Sequence, residues 1–155
     1  MIIRKANIND FEDLLDLHLQ IEDTEISFDS NLKPHAFDTD EGKKKIKKQI
    51  KDENYILLVC EENNNQVVGF IDGEVMEPSI VYYDKVAFLN HICVDKKYRR
   101  KGIGDLLFLA FQDEVAKQNA KYIRVLAFPK NTPAVSFYNK HNLLEYSVYY
   151  QKKIM

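Results

Sequence analysis

Apolar positions along this chain recur with a period of two in some stretches and of about three and a half in others, which marks out strands and helices in turn. Residues 2–6 alternate apolar with polar and read as an opening strand; Asn9 or Asp10 then caps a helix on which Phe11, Leu14, Leu15 and Ile21 fall at helical spacing. After a polar, acidic interval a second helix begins near Asp40, with Ile46 and Ile50 one turn apart among lysines. Residues 55–60 and 66–75 read as a hairpin turning at Asn63, Asn64 and Asn65. A strand over 85–94 leads through a turn with two glycines into a helix ending near Gln118, with Ile103, Leu107, Ala110 and Phe111 on its inner face. A buried strand over 122–127, a helix over 131–141 and a last strand over 146–154 follow. This order predicts an α/β protein, a mixed sheet with helices on both sides.

Composition narrows the class. The 155 residues, 45% of them apolar, make one domain over 1–155 that can bury a core, with no repeat, linker or low-complexity segment. A net charge of −2 gives no reason to expect nucleic acid or an anionic membrane as partner, and KKYRRK and KKKIKKQIK belong to no known nucleic-acid motif. Cys60 and Cys93 both lie inside apolar runs and read as reduced core thiols, not a disulfide framework. No apolar stretch reaches the roughly 18–20 residues that span a bilayer, and the first residues show neither a signal peptide nor a lipidation motif. The expectation is a cytoplasmic protein.

Chemistry concentrates in LNHICVDKKYRRKGIG, residues 89–104, a strand running into a short basic turn that opens a helix. Such a turn gathers free backbone N–H groups at the positive end of the helix and seats a phosphate. It is not a Walker loop, because Asp105 and Leu106 stand where Lys and Ser or Thr are needed, and Leu107 replaces the third glycine of a dinucleotide fingerprint. What remains is an R-x-x-G-x-G pattern from Arg99 to Gly104. Further on, NTPAVSFYNKHNL starts with Asn131 as a helix cap and Pro133 in the first turn, and it sets Asn131, Ala134 and Tyr138 on one helical face.

With these two segments in this order the chain resembles the GNAT superfamily of N-acetyltransferases. The resemblance implies a GNAT fold, a mostly antiparallel mixed sheet that splays between two parallel central strands. It implies acetyl-CoA in that splay, with the backbone of Ile92, Cys93 and Val94 pairing with the pantetheine arm. Arg99, Arg100, Lys101, Gly102, Ile103, Gly104 and Asp105 would surround the pyrophosphate, the glycines letting the backbone come close. Asn131 and Tyr138 would lie beside the thiol, with Tyr138 protonating the sulfur after direct transfer to a primary amine of a small molecule or peptide. A coenzyme-binding module with little or no transferase activity is the competing reading.

The chain departs from the family pattern at the base. Some members carry a glutamate where this chain has Asn90, others where it has Leu126. Three sources of a base stay open: a water held by Asn90 and relayed to Glu22, Glu25 or Glu74; His91; or a more distant carboxylate. Strand parity puts Asn90, Ile92 and Val94 on one face and His91 and Cys93 on the other, which speaks against His91 and against an acetyl-cysteine route unless a bulge reverses it. His18 reads as helix packing, His35 and His141 as exposed, and no spacing suggests a metal site.

The acceptor side is expected from the first two helices and the turn before residue 85. Glu22, Asp23, Glu25 and Asp29 would favour a cationic amine, and Tyr83 beside Tyr82 would stack on it. Asn142 is expected to end the tyrosine helix in the left-handed conformation that glycine usually takes. The short tail leaves one side of the acceptor pocket open, so a homodimer is expected to close it.

Overall fold

The computed structural model describes residues 1–63 and 65–154. Among the described residues, five strands form one sheet in the order β1-β2-β3-β4-β5: β1 Ile2–Lys5, β2 Ile56–Glu61, β3 Val67–Met76, β4 Val86–Val94 and β5 Tyr122–Val125. All neighbours are antiparallel except β4 and β5, which are parallel. Among the described residues there are four helices: α1 Phe11–Glu25, α2 Asp40–Lys51, α3 Ile103–Lys117 and α4 Thr132–Lys140. The β2–β3 turn expected at Asn63 to Asn65 includes Asn64, which lies outside the described residues.

The middle strands are buried on both faces, which is why ILLVC in β2 is an unbroken apolar run. Leu57, Val59 and Phe70 pack with Leu14, Leu17 and Ile46 on the side of α1 and α2. Ile56, Leu58, Val68 and Ile71 pack with Ile103, Leu107, Phe108 and Phe111 of α3 on the other. The first helix is entered through a short 3-10 turn: Asn7, not Asn9 or Asp10, accepts from the Asn9 N–H, and Asp10 returns a bond to the Asn7 backbone. Arg4 then clamps Asp10 with paired bonds of 2.8 Å.

Two expectations fail at the end of the chain. Residues 146–154 form no strand, because no layer covers them: Tyr146, Val148, Tyr149, Tyr150 and Ile154 all stay exposed. The segment instead passes beside β5, where the Arg124 guanidinium lies 4.2 Å from the Tyr146 ring and 4.4 Å from that of Tyr82. As a result β5 is the sheet's edge, and the parallel pair is not central.

The β3–β4 ladder slips by one residue. Asp72 faces His91 but Gly73 faces Leu89, so Asn90 is the extra residue of a bulge. Gly73 permits this: a Cβ there would run into the Phe88 carbonyl oxygen and come within 2.8 Å of the Phe111 ring. Gly73→Ala is therefore expected to cost about 1–3 kcal/mol in chemical denaturation, with Leu14→Ala, a large-to-small change at a fully buried site, as a reference expected to cost about 2–5 kcal/mol.

Candidate active site

The β4–β5 register ends at Leu89 opposite Val125, while β4 runs on to Val94. Beyond that point no strand among the described residues lies beside β4 on the β5 side, and the sheet splays open there. The Asp95 N–H donates to the Val68 carbonyl at 2.9 Å, and antiparallel alternation then turns the backbone groups of Cys93 toward Phe70 and those of Ile92 and Val94 toward the opening. Of the three residues expected to pair with a pantetheine arm, two turn toward the opening. The Val94 carbonyl already accepts from Arg99 Nε at 2.9 Å.

The basic turn after β4 is built on left-handed backbone. Arg100 has φ 64° and Gly102 φ 78°, so successive N–H groups curl into a concavity. A Cβ on Gly102 would meet nothing within 4 Å; its value is conformational freedom and open space over the turn. No side chain among the described residues caps α3, and its first helical bond runs from Leu106 N–H to the Gly102 carbonyl, which leaves the amides of Ile103, Gly104 and Asp105 at the positive helix end. Lys101 turns aside, its ammonium 4.8 Å from the Tyr98 ring centre.

Gly104 and Asp105 face elsewhere than expected. A Cβ on Gly104 would come within 3.3 Å of the Phe137 ring, so this glycine lets α3 approach α4, not a phosphate. The Asp105 carboxylate bonds Lys140 Nζ at 2.7 Å and His141 Nε2 at 2.8 Å, which cancels a negative charge beside the turn. His141 is consequently half-buried, packed on Phe108 and Phe137, and not the exposed residue its position suggested.

On α4, Asn131 accepts from the Ala134 N–H at 3.3 Å and caps the helix, and Asn142, at φ 60°, ends it. Tyr138 lies half-buried between them, its phenol pushed up to about 12 by burial and by the negative charge of Glu25. Glu25 is itself raised by burial, and the charge of His91 pulls it back. Phe28, just past α1, packs on Phe128, past β5, with ring centres 5.8 Å apart, so the end of α1 reaches the loop leading into α4.

The α1 side of the sheet holds a polar network only partly visible in the sequence. The bulge turns Asn90 toward the α1 side, where its Nδ2 donates to the Tyr55 hydroxyl at 2.9 Å, beside His91. Tyr55 donates to Asp72 at 2.7 Å and accepts from Gln49 at 2.8 Å. Asp72 accepts from His91 Nδ1 at 3.0 Å. Asp72, Tyr55 and Gln49 were not anticipated, although a charged residue inside the apolar run VVGFID was a visible signal. His18 stacks on Phe37 at 4.2 Å and meets His91 edge-on at 5.0 Å; burial and the neighbouring His91 push it down to about 3. Glu22 is buried and accepts from the Phe37 N–H at 3.0 Å, which pins that ring over His18. Tyr83 is fully exposed in the β3–β4 loop and is not brought to the network.

A sequence profile of the Acetyltransferase (GNAT) family matches residues 18–143, and the chain belongs to that family. Solved structures agree on the fold. A tetramutant of the BH1408 protein from Bacillus halodurans superposes with a TM-score of 0.88 at 18% identity, covering 99% of this chain and 100% of its own. The aminoglycoside N-acetyltransferase AAC(6')-Iy in complex with CoA gives 0.76 at 16% identity, covering 99% and 95%. Glucosamine-6-phosphate N-acetyltransferase from Arabidopsis thaliana gives 0.73 at 17% identity, covering 99% and 98%. No helix among the described residues is long and apolar enough to cross a membrane.

Cys93 is 5% exposed and burial pushes its thiol up to about 11, and burial raises Cys60 as well. Both thiols are expected to resist an aromatic disulfide reagent near pH 8 in the native protein and to react promptly in denaturant; fast native labelling of Cys93 would reopen the acetyl-cysteine route.

Proposed function

We propose that this GNAT protein transfers an acetyl group from acetyl-CoA to a primary amine of a small molecule or peptide, directly, with both bound together. The observation that carries this reading is the unpaired edge of β4 past Leu89, which runs within a few residues into an uncapped, positive helix end. An extended arm can add to that edge through Ile92 and Val94. Its diphosphate then meets the concavity at Arg100 and Gly102 and the amides of Ile103, Gly104 and Asp105. Arg99 and Lys101 add positive charge around the turn, while Cys93 and Asn131 support the site as ladder and cap.

Acetyl-CoA supplies an activated acyl carbon and a good leaving group when bound. The protein holds the amine in line with it and supplies a proton where thiolate charge develops. Tyr138 fits the second task because its raised phenol stays protonated through the working range. The N–H groups along the open edge of β4 are the donors available to polarise the acyl oxygen. On the acceptor side the charge of Glu25 favours a cationic amine, and the relatives named for aminoglycosides and glucosamine-6-phosphate make amino sugars a first class to try.

The test is thiol release from acetyl-CoA against polyamines, amino sugars, amino acids and lysine peptides, with coenzyme binding followed by thermal shift. Release with one amine class is expected; stabilisation by acetyl-CoA without release from any amine would instead select a binding module. Tyr138→Phe should lower turnover by roughly 10² with coenzyme affinity nearly kept, and full turnover at every pH would remove the acid role. Gly102→Glu should abolish stabilisation by acetyl-CoA, since it places a carboxylate over the phosphate seat.

A further inference from the structure

Asp72 sits in the middle of β3 with its side chain fully buried. A carboxylate in that position costs several kcal/mol unless its oxygens are fully bonded. Here both are: Oδ2 accepts from Tyr55 at 2.7 Å and Oδ1 from His91 Nδ1 at 3.0 Å. Tyr55 is in turn held by Gln49 and Asn90 at 2.8 and 2.9 Å, so hydrogen bonds fix the direction of the whole chain of groups. A carboxylate can only accept, which assigns the His91 Nδ1 proton to Asp72 and leaves Nε2 as the bare nitrogen of the neutral ring. The His91 side chain keeps 20% of its surface exposed, and Glu25, at the end of α1, is close enough for its charge to act on both His91 and Tyr138.

We propose that His91 is the general base that takes a proton from the acceptor amine, and that Asp72 is its positioning residue. This rests on the acetyl-transfer reading above. The Asn90 bulge makes it geometrically possible, because it brings His91 and Asn90 to the same side, against the parity of a regular strand.

The groups facing His91 are Asp72 from β3, His18 and Glu25 from α1, and Lys45 from α2. Burial pulls the imidazole down and Lys45 adds to this; the bond and charge of Asp72, with the charge of Glu25, more than offset both, so His91 titrates above the ordinary histidine value. His18, pushed down to about 3, stays neutral and does not compete for the proton.

The step balances as follows. His91 Nε2 removes one proton from the acceptor ammonium. The freed lone pair forms the C–N bond at the acetyl carbon, and the C–S bond breaks with its electron pair on sulfur. Tyr138 gives its proton to that sulfur, and the second proton leaving nitrogen restores the phenol. His91 returns the first proton to solvent, so an ammonium and an acetyl thioester give an amide, a thiol and one proton.

Two measurements decide it. Nitrogen NMR of the imidazoles in the protein without coenzyme is expected to show His91 titrating above about 6.5, its neutral form protonated on Nδ1. Asp72→Asn should lower that midpoint by roughly 1–3 pH units. A neutral form protonated on Nε2, or a midpoint that Asp72→Asn does not move, overturns the positioning role whatever the activity. In turnover, kcat/KM of the wild type should rise through the same midpoint to a plateau. His91→Gln should lower kcat by roughly 10²–10⁴ and flatten that rise, with acetyl-CoA affinity unchanged. Turnover and pH profile that survive His91→Gln overturn this role alone. Coenzyme binding by the wild type without thiol release from any amine overturns the transfer reading, and this role with it.

Discussion

The one-residue slip between β3 and β4, where Asp72 faces His91 while Gly73 faces Leu89, leaves Asn90 unpaired and moves every later side chain of β4 to the opposite face from a regular strand. Leu89 and Ile92 both reach the α3 side because of it, and Asn90 and His91 both reach the α1 side. The slip depends on Gly73, whose missing Cβ lets the Phe88 carbonyl and the Phe111 ring close in from the two sides. The hydrogen-bonded phase of the ladder beyond it also presents Ile92 and Val94, not Cys93, at the open edge. One backbone irregularity thus orients the polar network on one face and the pairing edge beside it.

Beneath the slip, a charge has been placed where the fold tolerates it least. Asp72 is secured by groups from three separate elements: His91 on β4, Tyr55 at the entry to β2, and Gln49 on α2 acting through Tyr55. The helix layer is therefore tied to the sheet by directional bonds as well as by apolar packing around Ile46 and Leu14. Directional bonds hold ring and carboxylate angles that packing alone leaves loose.

The arrangement of helices and strands was largely legible in the sequence, since β2 and β3 are apolar runs buried on both faces, α1 and α3 bury apolar faces at helical spacing, and the element ends fall within a few residues of the expected positions. The final strand was not, because residues 146–154 carry a strand-like composition but no covering layer, and composition does not report what packs above it. At the site, the two glycines and the capped tyrosine helix were readable, and the left-handed Asn142 as well. Regular parity groups Asn90 with Ile92 and apart from His91; the bulge, left open by the sequence, instead sets Asn90 beside His91, and its only local mark is a glycine on the opposite strand. Gly104 looked like Gly102 in sequence, yet only the three-dimensional contact with Phe137 shows that it serves helix packing. Asp72 is one charge among many in this chain, although its place at the end of the apolar run VVGFID sets it apart.

Phe137 lies over Gly104, and Asp105 bonds Lys140 and His141, so the start of α3 meets α4 through these side chains. Phe137 is next to Tyr138, so on the proposed reading these contacts set the spacing between the phosphate seat and the phenol, like two marks on one gauge. On the proposed reading, selection among acyl donors becomes a matter of length: an arm that spans the gauge delivers its sulfur to the hydroxyl, and a shorter or longer one anchors equally well at the seat yet presents its thioester out of reach.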